Sequence, residues 1–283
     1  MFFFRLLSRL PFPVLYLVSD GLFFVTYYLL GYRRKVVRQN LENSFPGKSP
    51  HELVAIEKGF YKNLCDYAVE TLKLLTISKE ALKRRMVFKN PEEIQRCKDR
   101  GQSSLYLASH QFNWEWIIAA ADLWLPVRVD YVYQPQSSGF VNRFSFYTRG
   151  RFGSGAIKRA DVVREMVKRR GTVCGVAIVA DQFPGHGNDK KYWGRFLGQD
   201  TAFFDGVNNL AVMMQYPVFF IKIDKVKRGH YEMEFVQIGT PPFEKGSHGV
   251  IEAYIKATEE VVRANPTGWL WSHRRWKQRK PET

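Results

Sequence analysis

The sequence predicts an α/β fold: a mixed, mostly parallel sheet flanked by helices, with a membrane-associated helix at its N-terminus. Two patterns carry that expectation. From Ser104 onward, short apolar runs alternate with helical patterns, and near the start Leu10 to Tyr32 holds a single charge, Asp20. A third observation sets the class of partner: 43 Lys and Arg against 27 Asp and Glu leave a net charge of +16. The 283 residues are 45% hydrophobic and 15% aromatic. That excludes intrinsic disorder, because disordered chains lack the apolar surface for a core. Cys65, Cys97 and Cys174 have no close spacing, so neither a disulfide scaffold nor a cysteine zinc site is expected. So basic a chain suits an anionic partner: nucleic acid, an anionic membrane or a phosphorylated substrate.

The first element is the run Leu10 to Tyr32. It reaches the roughly 20 residues needed to cross a hydrocarbon core. Pro11, Pro13 and Asp20 count against a plain span, and Arg5 and Arg9 before it and Arg33, Arg34, Lys35 and Arg38 after it also suit an interfacial helix. A buried helix of the globular domain is the third placement. No small-residue cleavage site follows, which argues against a signal peptide. If the run spans, the richer basic flank puts the body in the cytoplasm. Residues 1–32 are expected to be the anchor and residues 33–283 one domain.

His51 to Leu75 carries apolar residues at helical spacing. Asn90 before Pro91 is expected to cap a short helix. Strands follow at Ser104–Ser109, Val127–Tyr133, Thr172–Ala180, Pro217–Asp224 and Tyr231–Ile238. The last two form a hairpin across Gly229 and His230. Helices are expected at Trp114–Trp124, Ser138–Thr148, Ala160–Arg170, Phe204–Gln215 and Val250–Ala264. Strands alternating with helices imply a sheet covered on both faces.

The stretch Ala108-Ser-His-Gln-Phe-Asn-Trp-Glu-Trp116 carries the chemistry. It leaves a strand and opens a helix, where open α/β sheets bind ligands. Asn113 is placed to cap the helix, with Glu115 in its first turn. A carboxylate on one nitrogen of His110 would fix the tautomer and leave the other nitrogen a base. A capping histidine followed by a dipole-favoured glutamate would leave the same trace. Asp181 ends the apolar strand Thr172–Ala180, at the same edge; a turn-forming aspartate is the plain alternative.

His110-Gln-Phe-Asn-Trp-Glu115 resembles the His-Phe-Gly-Asn-Trp-Glu form of the lipid A late acyltransferases, within the glycerolipid acyltransferase-like group. Further segments are similar in order: Gly31 to Asn40 with Phe45-Pro46, the arginine region around Arg149 and Arg151, Asp181-Gln182, Phe196-Leu197-Gly198 with Thr201, and Trp269 to Lys277. Gln111 and Phe112 depart from the family's Phe and Gly.

The resemblance implies transfer of a fatty acyl chain from a carrier thioester to a hydroxyl of a lipid A precursor. His110 would be the general base and Glu115 its orienting partner. Arg149, Arg151, Asp181, Gln182 and Asn113 would bind substrate. It implies no cofactor beyond the donor thioester, on acyl carrier protein or coenzyme A, and a place on the cytoplasmic face of a bacterial inner membrane. Other acceptors within the superfamily are a lysophospholipid, an aminoacyl lipid or a glycosylated phosphoinositide. The non-enzyme alternative is a basic nucleic-acid-binding protein, against which stand the apolar N-terminus and the lack of a recognisable motif.

The residues fit such chemistry. There is no Gly-x-Ser-x-Gly elbow, and Cys174 reads as a core thiol. Residues 143–170 hold nine Lys and Arg against two acids. A solvated face accounts for Arg164, Lys168, Arg169 and Arg170. Arg149 and Arg151, at a glycine-rich break, suit bidentate phosphate binding. His186 with Asp181 and Asp189 is a conceivable ligand set, but no metal is expected. The tail Trp271–Lys280, with five Lys and Arg, suits an anionic interface.

Overall fold

The computed structural model describes residues 2–185 and 190–281. The N-terminus folds as α1 (Phe2–Leu7) and α2 (Phe12–Phe24), the latter running into a π-helical turn at Val25–Leu29. Next come α3 (Arg34–Ser44) and α4 (Pro50–Lys73). Ser49 and Glu52 close a reciprocal capping box at the start of α4. Then follow α5 (Lys79–Arg85), β1 (Met86–Phe88), α6 (Glu92–Asp99), β2 (Ser104–Ala108), α7 (Trp114–Trp124), β3 (Val129–Tyr133) and α8 (Gly139–Arg149). The chain continues with β4 (Ala156–Lys158), α9 (Val162–Lys168), β5 (Gly175–Val179), β6 (Lys191–Phe196), β7 (Gln199–Phe204), α10 (Gly206–Met214), β8 (Val218–Lys227), β9 (His230–Gly239) and α11 (Gly249–Ala264).

Seven strands form one sheet in the order β1-β9-β8-β2-β5-β3-β4. Every neighbouring pair is parallel except the β8–β9 hairpin, so the sheet is mixed but mostly parallel, as the sequence predicts. β6 and β7 form a separate two-stranded ribbon. The aromatic residues Tyr192, Trp193, Phe203 and Phe204 on either side of Gly198 are the sequence signal for it. Leu197 and Gly198 turn it with φ of 50° and 76°, a primed hairpin turn that suits glycine.

Two apolar clusters cover the sheet. One gathers α3, α4, α10, α11 and the tail, with Leu105, Leu107, Val176 and Ile178 from the strands. The other gathers α5, α6 and α7 against Tyr106, Phe219, Ile221 and Met233. The period-2 geometry of strands sends alternate residues of β2 to opposite faces.

Three local expectations change. Asn90 does not cap a helix: its side chain donates to the Phe235 carbonyl and accepts from the Phe235 amide, which pins the end of β1 to β9. Arg169 pairs with the buried Asp130 rather than standing on a solvated face. The tail is only partly at the surface: Arg274, Lys277, Arg279 and Lys280 stay exposed. Trp269, Trp271 and Arg275 are buried, because the indoles complete the apolar core beneath α11.

The N-terminal run is neither buried nor free of the domain. The stretch Phe12–Leu29 is long and apolar enough to cross a membrane, yet only 17% of it is buried. One side of α2 is fastened to α4 and the β8–β9 turn. Ser19 donates to Asp66 at 2.8 Å, and Arg228 bridges Asp20 and Asp66 at 2.7 and 2.6 Å. Leu17, Val18, Leu22 and Phe24 remain exposed.

Candidate active site

Strand register builds the centre of the site. β2 and β5 are parallel neighbours, with Ala108 opposite Val179. Two residues beyond each, at the carboxyl edge of the sheet, stand His110 and Asp181. His110 Nδ1 lies 2.6 Å from Asp181 Oδ1, and the His110 amide donates to Oδ2 at 2.9 Å. The Trp269 indole donates to the same Oδ2 at 2.7 Å. Burial alone would favour the neutral form of Asp181. The imidazole, the His110 amide and the Trp269 indole outweigh it and hold the carboxyl below its ordinary value. An ionised Asp181 accepts from Nδ1–H and leaves Nε2 with its lone pair.

The expected His110–Glu115 pair does not form. Glu115 lies in the first turn of α7, where Asn113 caps the helix by accepting from the Trp116 amide at 3.1 Å. Its carboxylate is held by Arg149 in a two-pronged bond, Nε to Oε2 at 2.7 Å and a terminal nitrogen to Oε1 at 2.6 Å. Burial weakens the Arg149 charge, but Glu115 more than restores it, so the guanidinium stays fully protonated. Sequence proximity misled here because the helix turns Glu115 toward α8, while a residue 71 positions away arrives on the next strand.

Asn113 is buried and bonded to Glu70 at 2.7 Å, so it does not face the cleft. Arg151 parts from Arg149: it donates to the Leu74 carbonyl and lies over Phe152, which separates the expected phosphate clamp. Gln182 lines the cavity beside His110. The Ser154 hydroxyl serves Ile118 and Asp122 and takes no part in the cleft. Cys174 is a buried thiol. His186 and Asp189 lie outside the described residues.

Behind the dyad, the tail forms a brace that sequence reasoning missed. The Phe112 amide donates to the Gly268 carbonyl at 2.8 Å, and the Leu270 amide to the His110 carbonyl at 3.1 Å. Gln111 bridges Trp269 as an isolated antiparallel pair and donates to the Val261 carbonyl at 3.0 Å. Phe112 takes a positive φ of 48°, the left-handed region that disfavours side chains, which accounts for glycine at this place in the related motif. Its ring closes on Gly268, where a Cβ would come within 2.6 Å of it. His273 accepts from the Phe183 amide at 3.1 Å. Burial pushes its pKa down to about 4, Asp181 opposing and Arg275 assisting.

An apolar cavity of about 230 Å³ opens beside His110 and Trp114. It runs between α7 and the sheet, lined by Tyr106, Ile117, Ala121, Ala177, Ile221, Met233 and Phe235. Gln136, Asn142, Ser145, Arg149 and Gln182 form its polar lining. The Trp114 ring meets His110 edge-on at 5.0 Å and stacks on Tyr67 at 4.2 Å. His110 thus lines an apolar pocket with a few polar groups, the composition of a site that encloses a small ligand.

A family model described as bacterial lipid A biosynthesis acyltransferase matches residues 1–278. The chain belongs to this family. It is therefore an enzyme, an acyltransferase of lipid A biosynthesis. No curated protein matches it significantly.

Proposed function

We propose that the protein transfers a fatty acyl chain from a carrier thioester to a hydroxyl of a lipid A precursor, with His110 as general base and Asp181 as its orienting partner. The His110–Asp181 pair at the mouth of an apolar cavity carries this reading. The acceptor hydroxyl gives its proton to Nε2 as its oxygen attacks the thioester carbonyl. The tetrahedral intermediate expels the thiolate, which takes the proton back from the imidazolium. The products are an ester and a free thiol, and no acyl-enzyme forms. Asp181 stabilises the imidazolium, and Arg149, fixed by Glu115 on the cavity wall, is the cation available to the developing oxyanion or to a substrate phosphate.

The acyl chain of the donor occupies the cavity. The basic surface of residues 143–170 suits an acidic acyl carrier protein, by charge complementarity. The exposed apolar side of α1 and α2 supports a seat on the cytoplasmic face of the inner membrane. Because α2 is bonded along one side to the domain, the fitting arrangement is a helix lying in the interface.

The test is acyl transfer by His110→Ala, with purified acyl carrier thioester and lipid A precursor, read by mass spectrometry of the lipid. The expected loss is about 10²–10⁴-fold, the range general-base catalysis supplies. Turnover retained in folded His110→Ala would overturn the mechanism. A wild type that acylates only other lipids would overturn the acceptor.

A further inference from the structure

A buried carboxylate on α4 takes no part in the chemistry described so far. Glu70 is wholly buried at mid-molecule and accepts from three side chains that belong to three different parts of the fold. Tyr16 of α2 donates to Oε1 at 3.0 Å. Asn113, the cap of α7, and Tyr231 of β9 donate to Oε2 at 2.7 and 2.8 Å. The Glu70 main-chain carbonyl also accepts from the Trp116 indole at 2.9 Å. Helix α7 is therefore held twice in its first turn by one residue of α4, and α2 is held by the same carboxylate.

We infer that Glu70 is a positioning residue that sets the first turn of α7 relative to the sheet and joins it to the seat of the N-terminal helix α2. The inference rests on the proposed chemistry, because what it positions is the segment between His110 and Glu115. Asn113 uses its carbonyl oxygen for the helix cap and its amide for Glu70. Without the acceptor at Glu70, that amide is left unpaired in the core, and the cap turns or takes in water. The cap lies three residues from His110 and two from Glu115, so a small rotation moves both ends of the site. A misplacement of about 1 Å is enough to cost turnover heavily. Tyr16 adds the other half of the link: its ring packs on Phe12, and Phe12 meets Trp116 edge-on at 6.0 Å. The first turns of α2 thus touch the catalytic helix through one buried hub.

Glu70→Gln is the conservative variant. Burial lifts the Glu70 carboxyl above its ordinary value, while Asn113 and Tyr231 pull against it. An uncharged amide is thus a fair replacement, its oxygen serving Asn113 and Tyr231 and its nitrogen donating to the Tyr16 oxygen.

The experiment uses the full chain in vesicles of phosphatidylethanolamine and phosphatidylglycerol, with wild-type acyl transfer measured first. If wild type shows none, the proposed chemistry fails and hydrogen exchange alone decides the inference. Glu70→Ala should lower kcat by about tenfold or more, the scale of one charge-assisted hydrogen bond, with little change in KM, while Glu70→Gln stays near wild type. Tyr16→Phe should lower kcat by about two- to fivefold, the scale of a neutral hydrogen bond. Amide exchange should quicken at 112–118 in Glu70→Ala and Tyr16→Phe alike. Asn113→Ala combined with Glu70→Ala should cost less than the two single losses added, because the two share the Asn113–Glu70 contact. If Glu70→Ala fails to fold, Tyr16→Phe and Asn113→Ala carry the test. An unchanged kcat, strictly additive losses, or quickened exchange spread over the whole chain would overturn the inference.

Discussion

The two sides of the sheet treat the same edge differently. Beneath α11 and the tail, Tyr254, Trp269 and Trp271 are buried together, and among the described residues the Asp181 carboxylate is bonded by His110 of β2's exit loop and by Trp269 of the tail. Beneath α7 a cavity is left open, and Arg149 of α8 on its wall is held by Glu115 of α7. The tail side fixes the His110 ring through Asp181 to within a hydrogen-bond length. The hollow side leaves room for a chain. Two carboxylates near one histidine therefore have separate work, and their neighbours decide which does what.

The largest expected effect tests that division directly. Asp181→Asn should lower kcat by about 10²–10⁴-fold, because an amide at Nδ1 no longer selects the tautomer that leaves Nε2 basic. Glu115→Gln should cost less turnover and more stability, about 3–5 kcal/mol by urea unfolding, since it leaves Arg149 buried without its charge partner. Equal losses of turnover with no loss of stability in Glu115→Gln would restore the His110–Glu115 pairing that the sequence predicts.

A middle-sized effect probes packed against hollow. Ala177 lines the cavity, and Ala211 is fully buried on the opposite side. Ala177→Phe should leave the melting temperature nearly unchanged and cut turnover of long acyl thioesters more than short ones. Ala211→Phe should overpack the core and cost about 1–3 kcal/mol. The same destabilisation from both, with no dependence on chain length, would mean that the cavity collapses when filled.

The smallest effect concerns the brace. His273 is held neutral in the fold, its pKa near 4 against an ordinary value of 6.5. As pH falls below 6.5 the unfolded chain binds a proton that the folded chain refuses. Stability is therefore lost between about 6.5 and 4 and is fully present above that window. His273→Gln should flatten this part of the profile in urea midpoints measured across pH. An unchanged slope would assign the acid sensitivity to other groups.

Much of the fold was legible in local pattern. Trp114–Trp124 coincides with α7 because Asn113 supplies the cap and the apolar face follows at once. The apolar runs at 104–109 and 172–180 become β2 and β5, trimmed at their ends. The short β1 and β4, three residues each, carry no periodicity to read. They exist because a neighbouring strand offers them a ladder. The tail was legible in part: Arg274, Lys277, Arg279 and Lys280 stay exposed as their charge suggests, whereas Trp269 and Trp271 pull the backbone inside and Arg275 follows, buried over the Phe203 ring.

The sequence by itself determined the α/β class, the apolar N-terminal segment, the place of His110 at a strand end and the family resemblance, since each rests on residues close together in the chain. Only the tertiary structure decided that Asp181, and not Glu115, meets the imidazole, that Arg149 and Arg151 part company, and that the tail stands behind His110. Those outcomes depend on strand register and on which face a helix turn presents, and neither is written in the spacing of neighbouring residues.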